Sequence, residues 1–213
     1  MTRRVVITGL GAVCALGKEV DTIFEKLLSG VSGVIRIQEF DTAKHSTKIA
    51  AEVTGFDAAT YFPRIEAKRL DPFSAYAMYA GDKALADAGI TKDTKLDRER
   101  FGCVLGTGIG GINEMEDQQT ILIQRGPDRV SPFLIPKMMS NAMAGQIAIR
   151  HDLRGTNFTT SSACASAGHA IGVAFRSIKY GESDLCLTGD RRRRRLRSVS
   201  PVLCASRPLD AQR

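Results

Sequence analysis

The sequence predicts an α/β fold, in which helices cover a largely parallel sheet. Strand-like and helix-like segments alternate along the chain, which is the order typical of that class. Several strand candidates, such as residues 101–106, are apolar throughout, as strands buried on both faces of a sheet are. The composition is 43% hydrophobic and 25% charged over 213 residues, enough for one well-buried domain of roughly 150 to 200 residues.

Apolar periodicity and capping residues define the individual elements. Asp71 and Pro72 supply an N-cap followed by proline at the first helical position, and Gly89 supplies the stop. The apolar face between them comprises Phe73, Ala77, Ala80, Ala84, Leu85 and Ala88. The other helices are predicted at 21–28, 139–151 and 164–180, the last with Ile171, Ala174, Phe175 and Ile178 on its core side. The strands are predicted at 4–8, 47–53, 101–106, 157–160 and 184–188.

Excess positive charge is concentrated near the C-terminal end. The formal charge is +7, and residues 190–213 contain eight arginines and two aspartates, whereas the rest has 22 basic and 21 acidic groups. A basic block of this kind could bind nucleic acid or another anionic surface. Since no aromatic platform accompanies it, we interpret the chain as a near-neutral domain, residues 1–189, followed by an aberrant basic tail, residues 190–213.

The cysteines and the N-terminal segment bear on the compartment. Five cysteines without a C-x-x-C pair predict neither a disulfide framework nor a zinc site, and reduced thiols predict a cytoplasmic location. Cys14, Cys103 and Cys186 lie in apolar contexts typical of the core. Glycines interrupt the apolar stretch at 5–17, so we expect a strand and a turn there rather than a signal peptide. No stretch approaches the ~18 apolar residues of a membrane span.

Cys164 is the strongest candidate nucleophile. It lies among small residues, in the segment TSSACASAG at 160–168, and directly precedes an amphipathic helix candidate. At a helix N-terminus, unpaired N–H groups and the helix dipole favour a thiolate and can hold an oxyanion. The alternative is a buried structural cysteine. His169 lies about 140° around the helix from Cys164, so we expect it to pack or cap elsewhere.

A glycine-rich segment, GTGIGG at 106–111, follows a strand candidate and precedes a helix. Phosphate-binding loops have this placement, but the spacing is not G-x-G-x-x-G and no Lys-Ser or Lys-Thr follows. The alternative is a tight turn where backbones or a ligand chain approach closely.

Three segments resemble a known family. They are VVITGLGAV at 5–13, SPFLIPKMMSNAMAGQIAIRHDLRGTN at 131–157 and SSACASAGHAIGVAFRSIKYGESDLCLTG at 161–189. In order and spacing they resemble the β-ketoacyl-[acyl-carrier-protein] synthases, condensing enzymes of the type II elongating kind, over residues 3–189. The resemblance implies a thiolase-like fold, of which this chain holds the first βαβαβ half.

The resemblance also implies a reaction in fatty acid biosynthesis. The family cysteine matched by Cys164 takes an acyl chain from acyl carrier protein as a thioester, and a carbanion from decarboxylated malonyl-carrier protein then attacks it. Ile109 matches a position that lines the acyl pocket, and Lys68 and Arg69 fall near the carrier-protein docking surface. A homodimer without a cofactor or a metal is implied as well.

The resemblance stops after residue 189. Family sequences continue with Gly-Gly-Ala-Glu-Ala and a strand that finishes the first half of the sheet, whereas Asp190 and five arginines follow here. It returns in ASRPLDAQR at 205–213, but the second half, with two histidines, a lysine and an oxyanion amide of the family site, has no counterpart. A truncated or frameshifted reading is one hypothesis. We expect impaired condensation and an open sheet edge that aggregates or recruits a partner; the alternatives are a non-catalytic interaction protein and an acyl-transfer half-domain.

Overall fold

The computed structural model describes residues 3–191 and 203–208, and the side chains of residues 3–189. Its helices are α1 (Val20–Leu28), α2 (Ala58–Tyr61), α3 (Arg64–Ala67), α4 (Pro72–Asp87), α5 (Ile112–Arg125), α6 (Leu134–Met138), α7 (Ala142–His151) and α8 (Ser166–Lys179). Its strands are β1 (Val5–Gly11), β2 (Val34–Arg36), β3 (Ile49–Ala51), β4 (Phe101–Thr107), β5 (Asn157–Thr160), β6 (Leu185–Arg191) and β7 (Leu203–Pro208). The alternation confirms the predicted α/β class.

Five of the strands form one mixed sheet in the order β1-β7-β6-β4-β5. Strand β4 pairs in parallel with β5 and β6, whereas β7 is antiparallel to β6 and β1. Strands β2 and β3 form a separate antiparallel pair. Since parallel strands end at the same edge, the carboxyl ends of β4, β5 and β6 define the side of the sheet where a site is expected.

The expectation of an open edge in place of a missing strand is wrong. Strand β7, drawn from the C-terminal segment, occupies the position between β1 and β6 and pairs with both. Strand β6 also continues through Asp190 to Arg191, past the point where the sequence pattern stops. The arginine-rich run at 192–202 and residues 209–213 lie outside the described residues, so the expectation that nucleic acid is not the partner, and the alternative that the tail binds it, both stay predictions.

Helices α4 and α7 cover one face of the sheet and α8 covers the other. Alternate residues of β4 divide between the two cores: Phe101, Cys103 and Leu105 face the α4 and α7 side, whereas Val104 joins the α8 side. Helix α4 begins as predicted, because the Asp71 carboxylate accepts a hydrogen bond from Phe73 N at 2.9 Å. This helix is buried around most of its circumference, which anchors the sheet.

Two of the three cysteines predicted to be structural are buried. Burial raises the pKa of Cys103 well above its usual range and raises the pKa of Cys186 to about 12. Both therefore stay protonated at neutral pH. Cys14 is only half-buried, in a tight turn where it bridges to Gly17, so the prediction is wrong for that residue.

The buried face of α8 differs from the predicted one. Ala174 and Ile178 are fully buried as expected, whereas Ile171 and Phe175 are 41% and 43% exposed. The small residues Ser166 and Ala170, which a search for large apolar side chains does not detect, are also on the buried face. No helix in the described part of the chain is both long enough and apolar enough to span a membrane.

Candidate active site

Cys164 lies in a short 3-10 turn, Ala163–Ala165, between the end of β5 and the start of α8. The cysteine is exposed, so the alternative of a buried structural cysteine is wrong. The residue before it, Ala163, has a φ of 48°, in the left-handed region. A non-glycine residue held there costs about 1 to 3 kcal/mol, and such strain is retained only where surrounding contacts hold it.

The hydroxyl of Ser166 holds this strained turn. Ser162 N donates a hydrogen bond to Ser166 Oγ at 3.0 Å, and the same oxygen donates to Ala163 O at 2.8 Å. The Ser166 side chain is fully buried, so its hydroxyl has a fixed position from which it holds both backbone groups. The role of Ser166 is not evident from the sequence motifs; the one local signal for it is the position of this serine, two residues after the cysteine and first in α8.

The ends of β4 and β5 position the start of α8. Thr160 Oγ1 donates to Ser166 O at 2.9 Å. An ideal Cβ built on Gly106 would lie 2.5 Å from Ser166 O, so only glycine lets β4 approach the helix this closely. The nucleophile turn is therefore placed by two neighbouring parallel strands, at their carboxyl ends.

The segment at 107–111, called here the glycine loop, runs beside the nucleophile turn. Ser161 Oγ donates to Gly108 O at 3.5 Å, and a Cβ on Gly108 would lie 3.9 Å from the Ala163 Cα. At its far end, a Cβ on Gly110 or on Gly111 would lie 2.5 Å from a backbone oxygen of α6. This close approach of backbones supports the tight-turn interpretation over a phosphate-binding loop.

Ile109 is at the centre of the glycine loop and is 56% exposed. Its neighbour Gly108 lies beside the nucleophile turn and its neighbour Gly110 lies against α6. The loop that carries Ile109 and the turn that carries Cys164 are therefore adjacent.

Each of the three histidines has a side-chain contact. His169 Nδ1 lies 2.5 Å from Ser162 Oγ, so this ring contacts the residue that directly precedes the Ala163–Ala165 turn. His151 Nε2 lies 2.6 Å from Asp82 Oδ1, and His45 packs edge-on against Phe40. Each histidine therefore has a structural contact of its own.

Lys68 and Arg69 are both exposed, directly after α3. The Arg69 guanidinium lies 5.3 Å from the ring centroid of Phe133, in the segment that leads into α6. A cation–π contact of this kind limits the freedom of the arginine. These two cations thus form a surface feature connected to α6, which also backs the glycine loop.

Comparisons with known proteins agree with this architecture. A family profile described as the N-terminal domain of beta-ketoacyl synthase matches residues 2–190. The chain is 40% identical over 187 residues to the 3-oxoacyl-[acyl-carrier-protein] synthase 2 of Vibrio cholerae, covering 88% of this chain and 45% of that protein. The enzyme of the same name from Synechocystis gives the same identity and coverage. The chain therefore spans about half the length of the curated relatives it matches.

Solved structures show the same fold. A beta-ketoacyl synthase from Burkholderia phymatum is 33% identical, with a TM-score of 0.77 over 89% of this chain and 46% of that one. The ishigamide ketosynthase/chain length factor has a TM-score of 0.88 over 99% of this chain and 60% of that one, at 22% identity. The thiolase-like fold class is thereby confirmed, and the chain belongs to the β-ketoacyl synthase family, whose N-terminal domain it contains.

Proposed function

We propose that Cys164 is the acyl-accepting nucleophile of a β-ketoacyl-[acyl-carrier-protein] synthase of fatty acid biosynthesis. The observation that carries the proposal is the exposed thiol on a strained turn, which buried Ser166 holds at the N-terminus of α8. A nucleophile needs this combination of access and fixed position, and a structural cysteine needs neither. The names of the matched relatives supply the reaction class.

The first half-reaction is a transthioesterification. The Cys164 thiolate attacks the carbonyl carbon of the carrier-bound acyl thioester, and a new carbon–sulfur bond forms. Backbone N–H groups near the start of α8 stabilise the negative oxygen of the tetrahedral intermediate. The bond to the carrier's sulfur then breaks, and the departing thiolate takes up a proton. The acyl group is left on Cys164.

Condensation requires more than this chain's described residues supply. Malonyl-carrier protein loses carbon dioxide, and its carbanion attacks the Cys164 thioester, so that a carbon–carbon bond forms and the cysteine thiolate is released. In the family, the histidines that assist this step come from the second half. General acid–base catalysis of this kind typically contributes about a hundredfold or more in rate. We therefore infer that acyl transfer to Cys164 is the stronger activity of the isolated chain.

Lys68 and Arg69 are proposed as the carrier-protein docking site. Both side chains are exposed cations, which can attract an anionic partner over a distance. The contact of Arg69 with Phe133, next to α6, supports a docking site close to the glycine loop, because α6 also contacts that loop. Ile109, on that loop, is proposed as an acyl-pocket residue.

We also propose a homodimer in the cytoplasm. Apolar side chains are exposed on strand β5 and the adjoining face of α8, namely Phe158, Ile171 and Phe175. Exposed apolar side chains on neighbouring elements are typical of a surface that another subunit covers, which supports the homodimer. The cytoplasmic location rests on the reduced thiols, and the domain boundary at residue 189 is proposed on the family match.

The test is transfer of a labelled acyl group from acyl carrier protein to the folded chain. Label should appear on the protein, be released by hydroxylamine as a thioester is, and be absent from Cys164→Ala. Cys14→Ala is the matched control, because among the cysteines whose side chains the structure describes Cys14 is the other one that is not buried, and it should retain the label. A folded wild-type chain that takes no label would refute the nucleophile assignment.

A further inference from the structure

A largely buried ion pair lies directly beyond the glycine loop. Lys137 Nζ is 2.9 Å from Glu114 Oε2, and the two side chains are only 16% and 11% exposed. Glu114 belongs to the first turn of α5, which starts where the loop ends, and Lys137 belongs to α6. Removing two charges from water offsets much of their mutual attraction, so stability alone is a weak reason for such a pair.

Hydrogen bonds extend the pair into a clamp between α5 and the segment that leads into α6. Gln118 Nε2 donates to Glu114 Oε1 at 3.1 Å, and Gln118 Oε1 accepts from Ser131 N at 2.7 Å. Gly111 N donates to Met138 O at 3.1 Å. Three contacts therefore hold the end of the glycine loop, and we call them together the joint: the ion pair, the bond between Gln118 and Ser131, and the bond between Gly111 and Met138.

The same joint is connected to the proposed docking site. Asp71, which is 2% exposed, accepts from Phe73 N with one carboxylate oxygen and from Glu114 N with the other, at 2.9 and 3.3 Å. It thus ties the start of α4 to the start of α5, two residues after Arg69. Asp71 therefore connects the segment that carries Lys68 and Arg69 to the helix that follows the glycine loop and Ile109.

We propose that Glu114 and Lys137 are positioning residues that fix the glycine loop against the nucleophile turn and so determine which chain lengths Cys164 accepts. The loop contacts the turn through Gly108 and contacts α6 through Gly110 and Gly111. Removal of either charge leaves the other largely buried without its charged partner, so we expect α5 and α6 to shift relative to each other and the loop to move with them. The part of this inference that concerns acyl-chain length rests on the proposed function, whereas the positioning of the loop does not.

The test uses N-alkylmaleimides with a short and with a long tail, because they report on the pocket without any acyl transfer. In this reaction the thiolate adds to the carbon–carbon double bond and a proton is taken up. Mass mapping of the Cys164 peptide gives the two rate constants and their ratio. Lys137→Met should change that ratio by about tenfold, since a misplacement of about 1 Å can cost about a hundredfold in rate.

Two further variants separate position from stability. Lys137→Arg keeps the charge and should keep the ratio within about twofold of wild type. Arg100→Met breaks a different ion pair, the 2.7 Å contact with Asp184 at the opposite end of β4, and should lower stability without moving the ratio. If Lys137→Met fails to fold, Glu114→Gln removes the charge while keeping the size and the contact with Gln118, and the ratio should move equally.

An unchanged ratio in folded Lys137→Met, or in Glu114→Gln, overturns the inference, as does an equal change in Arg100→Met. The acyl-labelling experiment distinguishes failure of the proposed function. If the maleimide ratio depends on Lys137 but no acyl label reaches Cys164, the proposed function fails and the positioning role stands. If acyl label reaches Cys164 but the maleimide ratio does not change in Lys137→Met, the proposed function stands and the positioning role fails.

Discussion

Gly106 and Gly172 are expected to respond to alanine in opposite directions. An added Cβ at Gly106 would lie 2.5, 2.6 and 2.9 Å from backbone atoms of Ser166 and Ala167, whereas one at Gly172 meets nothing within 4 Å. Ordinary contact begins near 3.4 Å, so Gly106→Ala would separate β4 from the start of α8 by about 0.9 Å. Overpacking of this kind costs about 1 to 3 kcal/mol.

The assay is thermal unfolding of both variants beside wild type. For a chain of this size, Gly106→Ala should lower Tm by about 2 to 12 °C. Gly172→Ala, in the middle of α8, should instead stabilise by about 0.5 to 1 kcal/mol, since alanine loses less backbone entropy than glycine in a helix. Acyl labelling of Cys164 should fall in Gly106→Ala alone. Equal stability of the two variants would refute the proposed close contact between β4 and α8.

Three other outcomes are expected. Phe73→Ala removes a fully buried ring from α4 and should lower the unfolding free energy by about 3 to 5 kcal/mol in urea denaturation, with Phe73→Leu costing less; equal costs would contradict the burial. Hydrogen bonds from Arg100 lower the pKa of Asp184, so this carboxylate adds stability above about pH 4 that is lost as the pH falls through the lowered pKa. Asp184→Asn should therefore weaken the acid-dependent part of the stability curve, and an unaltered pH profile would argue against the pair. Lys68→Glu should raise the carrier-protein concentration for half-maximal acyl labelling about tenfold at low salt and leave the saturating rate near wild type; insensitivity to the substitution would exclude this docking site.

Long elements with local signals were predictable from the sequence. The N-cap at Asp71 and the apolar run that became β4 identified their elements, because both depend on neighbouring residues alone. Helices α2, α3 and α6 have four or five residues, too few to show a helical period. Strand β7 depends on pairing with β1 across almost the whole chain, which no local pattern reveals.

The sequence was sufficient to predict the reactive residue of the candidate site, but not the residues that hold it in position. Small neighbours and a following helix identified Cys164. The left-handed conformation of Ala163 was not predictable, because alanine carries no preference for it. The contact between Glu114 and Lys137 joins residues 23 positions apart on two helices, and its significance depends on burial that only the fold provides.

The placement of β7 has a consequence for biosynthesis. Val5 in β1 pairs with Pro208 in β7, so β1 is synthesised long before the strand that joins it to the rest of the sheet. At about 5 to 20 residues per second, roughly 10 to 40 s pass between the two. Meanwhile β1 can dock on α4, where Gly9 and Gly11 allow close approach to the helix backbone. The five-stranded sheet can therefore close only after β7 has been synthesised, because β7 is the strand that joins β1 to β6.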